Sequence, residues 1–243
     1  GRLHTELSRL YLCPPAGGQD AVDDSRLIDA QGLTRALVLG LARPADWDAM
    51  SRVWQGVQAD LELPAPAIAV CGADGYQLWF SLAQPVTVAQ AQDFLALLSG
   101  RYLSAVVPRR ITLSPGPAGH TRLVPALQAD TGQWSAFVSS DLAAVFADDP
   151  SLDLPPGEDN QADLLSRLKS IQPAELERVK TQWMASQVYE RDSVMGQAQS
   201  LGNYWVMDMP VNADELLLQQ LMQVSAADVQ RVAGRYFGND QLT

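Results

Sequence analysis

Ala67-Ile-Ala-Val-Cys-Gly-Ala-Asp-Gly-Tyr-Gln-Leu-Trp-Phe-Ser-Leu82 reads as two short strands joined by a tight turn. Ala67 to Cys71 is an unbroken apolar run, too short for a buried helix and of the right length for a strand. Tyr76 to Leu82 adds the aromatic residues that strands favour. Between them, Gly72-Ala-Asp-Gly75 supplies the residues that a sharp reversal needs, because glycine reaches positive φ without steric cost. The pair is a hairpin, and an antiparallel sheet is therefore the organising element.

Upstream, Met50, Val53, Trp54, Val57 and Leu61 recur at helical spacing, with Asp46 placed to cap the helix and Pro64-Ala-Pro66 to end it. Before that helix, Leu33 to Leu41 is a strand candidate whose run Ala36-Leu-Val-Leu39 is too apolar to alternate, so it is expected to be buried on both faces. Downstream, Thr87 begins a helix striped by Ala91, Phe94, Leu95 and Leu98, and Arg110 to Leu113 is a fourth strand. The order strand, helix, strand, strand, helix, strand predicts an α+β, ferredoxin-like or RRM-like antiparallel sheet with helices on one face.

Outside this unit, Leu3, Leu7, Leu10 and Tyr11 mark an N-terminal helix stopped by Cys13-Pro-Pro-Ala-Gly-Gly18, and residues 19–31 read as a loop. Trp134 to Ser139 is a further short strand, and Asp141 is expected to cap a brief helix through Phe146. Proline, glycine and acidic residues concentrated between Asp148 and Asp159 predict a boundary, dividing the chain into residues 1–157 and an all-helical 158–243. In the second part, residues 161–170 form one expected helix, and Pro173 opens a longer one along Leu176, Val179, Trp183 and Val188. Asn212 with Glu215 and Ser225 with Asp228 have capping-box spacing, and Gly238 would end the last helix.

The bulk composition narrows the function classes. With 243 residues, 47% hydrophobic and 19% charged, the chain is that of a globular protein with a sizeable core. No apolar run approaches the roughly 20 residues that span a bilayer. The start lacks a signal-peptide pattern, and opening on Gly1 suggests a chain processed or trimmed at that end. A net charge of −11 opposes binding to a phosphate backbone, so duplex DNA is a poor partner. The acidity lies early: residues 1–165 hold ten Arg against nineteen Asp and Glu, and residues 166–243 hold seven basic residues against nine acidic. Two cysteines, Cys13 and Cys71, are too few for a disulfide framework and favour a reducing, cytoplasmic setting.

Glu175-Leu-Glu-Arg-Val-Lys180, Ala185-Ser-Gln-Val-Tyr-Glu-Arg-Asp-Ser193 and Ser225-Ala-Ala-Asp-Val-Gln-Arg-Val-Ala233 resemble the C-terminal helices of M16 zinc peptidases, the insulinase and pitrilysin relatives. The resemblance is to the non-catalytic half of the bacterial proteins and covers about the last 70 residues. It implies partner or peptide binding beside a catalytic M16 peptidase bearing His-x-x-Glu-His, and a periplasmic location if it sets the compartment. This chain lacks that motif. Zinc hydrolysis needs two imidazoles one helical turn apart, a third ligand and a carboxylate to activate water. The only histidines are His4 and His120, which are far apart in sequence. A mixed site from His4, Cys13, Cys71 and His120 lacks the paired spacings of structural zinc sites.

Gly72-Ala-Asp-Gly-Tyr-Gln-Leu-Trp-Phe80 and Thr131-Gly-Gln-Trp-Ser-Ala-Phe137 resemble the palm region of archaeo-eukaryotic primase-like proteins, which use an RRM-like fold. That resemblance implies a degenerate nucleotide or single-stranded nucleic-acid binder using Tyr76, Trp79, Phe80 and Arg122. Gln77 stands where the family has a nucleotide-contacting histidine, and Ala36 to Leu41 lacks its acidic metal-binding pair, so polymerase chemistry would be lost. The two resemblances meet near Leu165 to Ile171, which suggests a composite or fusion.

Each sharp reading has a structural rival. Asp46 and Asp48 are better helix-start residues than metal ligands. Tyr76, Trp79 and Phe80 suit core packing better than base stacking, given no basic run beside them. Arg109, Arg110 and Arg122 read as a solvated rim. Ser135, Ser139 and Ser140 lack a nucleophile elbow. Trp183, Tyr204 and Trp205 read as core or interface anchors. The expectation is a non-catalytic protein with no cofactor or metal residue, able to contact a partner or ligand through Tyr76, Trp79, Phe80, Arg122, Trp183, Tyr204 or Trp205, and with oligomerisation open.

Overall fold

The computed structural model describes residues 1–13, 27–44, 46–72, 75–116 and 121–192. It divides into two compact units, Gly1–Lys180 and Thr181–Thr243. Five strands in the first unit form one antiparallel sheet: β1 (Leu33–Leu41), β2 (Ala67–Cys71), β3 (Gly75–Thr87), β4 (Ile111–Ser114) and β5 (Ala136–Val138). Their spatial order is β4-β1-β3-β2-β5. Both β1 and β2 are copied from the sequence without a change of end residue, because each apolar run is bounded by turn-forming residues. β3 runs further than Leu82, continuing through Pro85 to Thr87 along β1.

Helices α1 (Arg2–Leu10), α2 (Trp47–Ala59), α3 (Val88–Tyr102), α4 (Glu158–Ser166) and α5 (Pro173–Asp192) complete the architecture, which mixes α and β. Asp46 caps α2 by accepting from the Ala49 N–H at 3.0 Å. Thr87 and Gln90 close a full capping box at the start of α3, satisfying donors that a helix N-terminus leaves open. The helix expected after Asp141 is only a 3-10 turn, Ala143–Phe146, with no side-chain cap. Asp141 instead hydrogen-bonds Ser139, which holds its carboxyl below the usual range.

Alternation along the strands sends side chains into two separate cores. Leu37, Leu39, Leu41, Ile68, Val70, Tyr76, Leu78 and Phe80 pack on α2 and α3. Ala36, Val38, Ala67, Ala69, Trp79 and Phe137 pack instead with Leu3, Leu7 and Leu10 of α1 and Ala162 and Leu165 of α4. The expectation of helices on one face is thus corrected: α1 and α4 cover the second face. The physical reason is the small Ala36, Ala67 and Ala69, which let helices approach, and the amphipathic stripe of α1, which must be buried somewhere. Each large apolar side chain removed from water contributes roughly 1.5–3 kcal/mol.

The boundary expected at Gly157 falls inside the first unit. Arg2 pairs with Asp163 at 2.6 Å, and Arg9 donates to the Leu165 and Leu168 carbonyls at the end of α4. Beyond α4, Ile171 bridges to β3 through Ile171 N–H to Ser81 O (2.8 Å) and Ala83 N–H to Ile171 O (2.9 Å). Leu176 and Val179 of α5 are buried in the α2/α3 core, and Arg178 donates to Leu61 O at 2.8 Å. Proline and acidic residues between Asp148 and Asp159 therefore mark a surface crossing within one unit.

One side chain completes the sheet where β5 would present an open edge. Gln161 of α4 accepts from the Phe137 N–H at 2.7 Å and donates to the Phe137 carbonyl at 2.9 Å. Its carboxamide does what the next strand's peptide group would do, and it is 4% exposed. An edge closed in this way offers no free ladder to another chain at Phe137.

Candidate functional site

The aromatic residues proposed to meet a ligand are core residues. Trp79 and Tyr76 are 0% exposed and Phe80 is 1% exposed. They do not all share a face, since Tyr76 and Phe80 lie on the α2/α3 side and Trp79 on the other. Tyr76 lies toward α2, its ring 5.3 Å from Trp47 and its hydroxyl donating to Ala143 O at 2.5 Å. Phe80 meets Phe94 of α3 edge-on at 5.9 Å. Trp79 points to the opposite face, between Tyr11 (5.3 Å) and Phe137 (6.0 Å). A base could stack on none of them without unpacking a helix. Burial, with a smaller push from Asp148, raises the Tyr76 phenol to about 12. Burial also raises the Tyr11 phenol, whose hydroxyl has no hydrogen-bond partner among the described residues.

Arg122 behaves differently. It is exposed, makes no ion pair or hydrogen bond among the described residues, and lines a cleft of about 340 Å³ on the α1/α4 face of the sheet. Gly40, Gln77, Thr112, Ser114 and Asp130 line the same cleft. The register explains why these residues meet. Gly40 pairs with Gln77 on one side and Thr112 on the other, while Val38 pairs with Ser114 and Trp79 one step along the same face. Gly40 carries no side chain, so the space between Gln77 and Thr112 stays open. A Cβ placed there would lie 3.4 Å from that of Thr112, an ordinary contact.

Gln77 is held in a fixed sense. Trp79 Nε1 donates to Gln77 Oε1 at 3.0 Å, and an indole N–H can only donate, so the amide oxygen faces Trp79 and the NH2 is left for the cleft. Ser135 is used internally, its hydroxyl meeting both the N–H and the carbonyl of Ala126. Cys71 is buried and receives a hydrogen bond from Gln128 at 2.6 Å. The Cys13 thiol, raised mainly by burial and then by Asp29 against the opposing Arg35, donates to Leu33 O.

Other candidates resolve into structure. Arg110 donates to the Ala42 and Pro44 carbonyls and ties β4 to the segment after β1. Asp46 is the α2 cap. His4 sits on α1, 3.4 Å from the Ser8 hydroxyl, and His120 lies outside the described residues. Among the described residues, no group of three His, Cys, Asp or Glu could hold a metal ion, and no helix is long and apolar enough to cross a membrane. Trp183 is half-buried on α5 in the second unit; Tyr204 and Trp205 lie outside the described residues, as do the expected helices after residue 192.

Sequence reasoning singled out Arg122 and noted Gln77, but it missed Gly40, Thr112 and Ser114. Their signal is a register, and a register becomes readable only once strand partners are known. What the fold and site define is a mixed α and β unit with a cleft of mixed polar and apolar lining on an otherwise helix-covered sheet face. No protein-family model matches the chain, and no curated protein matches it.

Proposed function

We propose that the chain is a non-catalytic binding protein whose first unit takes a small polar ligand in the sheet-face cleft. The observation that carries this reading is the grouping of polar atoms without partners among the described residues, Arg122 and the Gln77 NH2 with the Thr112 and Ser114 hydroxyls, over a floor that Gly40 leaves open. Concave sites with a few convergent polar groups are where small ligands bind. The strand order β4-β1-β3-β2, with α2 and α3 as the two crossovers, supports a ferredoxin-like sandwich to which β5 is added. A primase-like nucleotide or nucleic-acid reading would keep the cleft and Arg122 but lose its aromatic platform.

The test is an amide NMR titration of the full chain with neutral sugars, nucleosides, amino acids and hydroxy acids, beside Gly40→Val. Valine suits a strand and fills the floor. The expected result is that at least one compound shifts Gly40, Gln77 and Thr112 together in the parent and not in the variant. Shifts scattered elsewhere, or no shifts from any compound, would overturn it.

A second reading rests on the peptidase-like segments at Glu175 to Lys180, Ala185 to Ser193 and Ser225 to Ala233. In it, the last third binds a peptide or a catalytic M16 partner. Affinity capture from cells should then recover a protein containing His-x-x-Glu-His, and calorimetry with unfolded peptides should give heat. Neither result appearing would remove this reading.

A further inference from the structure

We infer that the cleft selects a polar monocarboxylate, an oxygen-rich small molecule carrying a single negative charge, over neutral compounds and over polyanions. This rests on the cleft being a ligand site. Among the described residues Arg122 is the only cationic one lining it, and its guanidinium has five N–H donors without an acceptor there. Planar bidentate pairing with a carboxylate is what such a fork fits best. The Gln77 NH2, fixed by Trp79, can only donate, so it asks for an acceptor oxygen. Thr112 and Ser114 hydroxyls can donate or accept and suit hydroxyl or carbonyl groups on the same molecule.

Charge sets the upper limit. Asp130 also lines the cleft and the chain as a whole carries −11, so a second or third negative charge on the ligand meets repulsion with no further cation among the described lining residues to receive it. Among the described residues, no group of three His, Cys, Asp or Glu could hold a metal ion to relieve this. Nucleoside triphosphates and other polyphosphates are therefore the wrong class.

A charge ladder of small probes decides it: glycerol, lactate, malate and citrate, neutral to trianionic, titrated by NMR into the full chain and into Arg122→Gln. Arg122 is exposed and without described partners, so the variant should fold as the parent does. Lactate should bind at the cleft about tenfold more tightly than glycerol, as one charge-assisted contact implies. Malate and citrate should bind no more tightly than lactate, and Arg122→Gln should reduce lactate to the level of glycerol. Tighter binding of malate or citrate, or lactate binding untouched by Arg122→Gln, would overturn the inference while leaving the cleft a ligand site. Absence of shifts from every probe would overturn the inference, while the cleft reading would fall only if the sugars, nucleosides and amino acids were silent as well.

Discussion

Gln161→Leu lowers the stability of the chain by roughly 2–4 kcal/mol, the cost of leaving two buried backbone groups without partners. Leucine is close to glutamine in size, so little packing volume changes. What is lost is the carboxamide that holds the Phe137 N–H at 2.7 Å and its carbonyl at 2.9 Å, in a site where the glutamine itself is 4% exposed. Neither backbone group has another partner to turn to on that side of β5, because α4 covers it. Urea unfolding followed by tryptophan fluorescence measures the loss. A change below about 1 kcal/mol would mean that water reaches the edge and replaces the amide.

Gly75→Ala is the other large effect, at roughly 2–5 kcal/mol from a left-handed backbone penalty added to overpacking. Gly75 opens β3 with φ +72°, which side-chain-bearing residues rarely adopt. A Cβ there would also overlap the Leu41 carbonyl oxygen, a backbone atom at the end of β1 that cannot turn aside. The hairpin would have to shift its register at Leu41 and Tyr76, moving Tyr76 away from Ala143 and Trp47. Thermal unfolding of the variant checks this. Gly132, which also has positive φ (+69°) but has open space around its Cβ, is the control. Gly132→Ala should cost only the conformational part, about 1–2 kcal/mol. Equal losses at the two glycines would show that the Leu41 contact is not what makes Gly75 necessary.

The central sheet was legible because its signals are local. The apolar runs of β1 and β2 and the Asp46 and Thr87 caps each specify their own backbone, whatever surrounds them. The second helical layer was not legible, although α1 itself was expected. Its Leu3, Leu7 and Leu10 stripe announces burial without naming the surface, and α4 joins it through Arg9 and Gln161, which bond over more than twenty positions. Pro155-Pro-Gly157 looked like a linker because proline and glycine mark a surface crossing equally well within a unit or between two. The site divides the same way. Arg122 stood out as a charge, while Gly40 and Thr112 acquire meaning only as partners across β1 and β4. Tyr76, Trp79 and Phe80, adjacent enough to suggest one platform, are not one: the alternation of the strand turns Trp79 away from the other two, and helices cover the rings on each side.

That closure of both faces is the premise on which the cleft becomes the site, and hydroxyl-radical footprinting of the whole chain by mass spectrometry tests it most directly. Trp79, Tyr76 and Phe80 should be oxidised far more slowly than the exposed Leu142, Val145 and Leu154, whose side chains lie open on the same unit. Oxidation of Trp79 at a rate matching its high intrinsic reactivity would contradict the account, because it would mean that α1 and α4 leave the face open and that an aromatic binding platform is available after all.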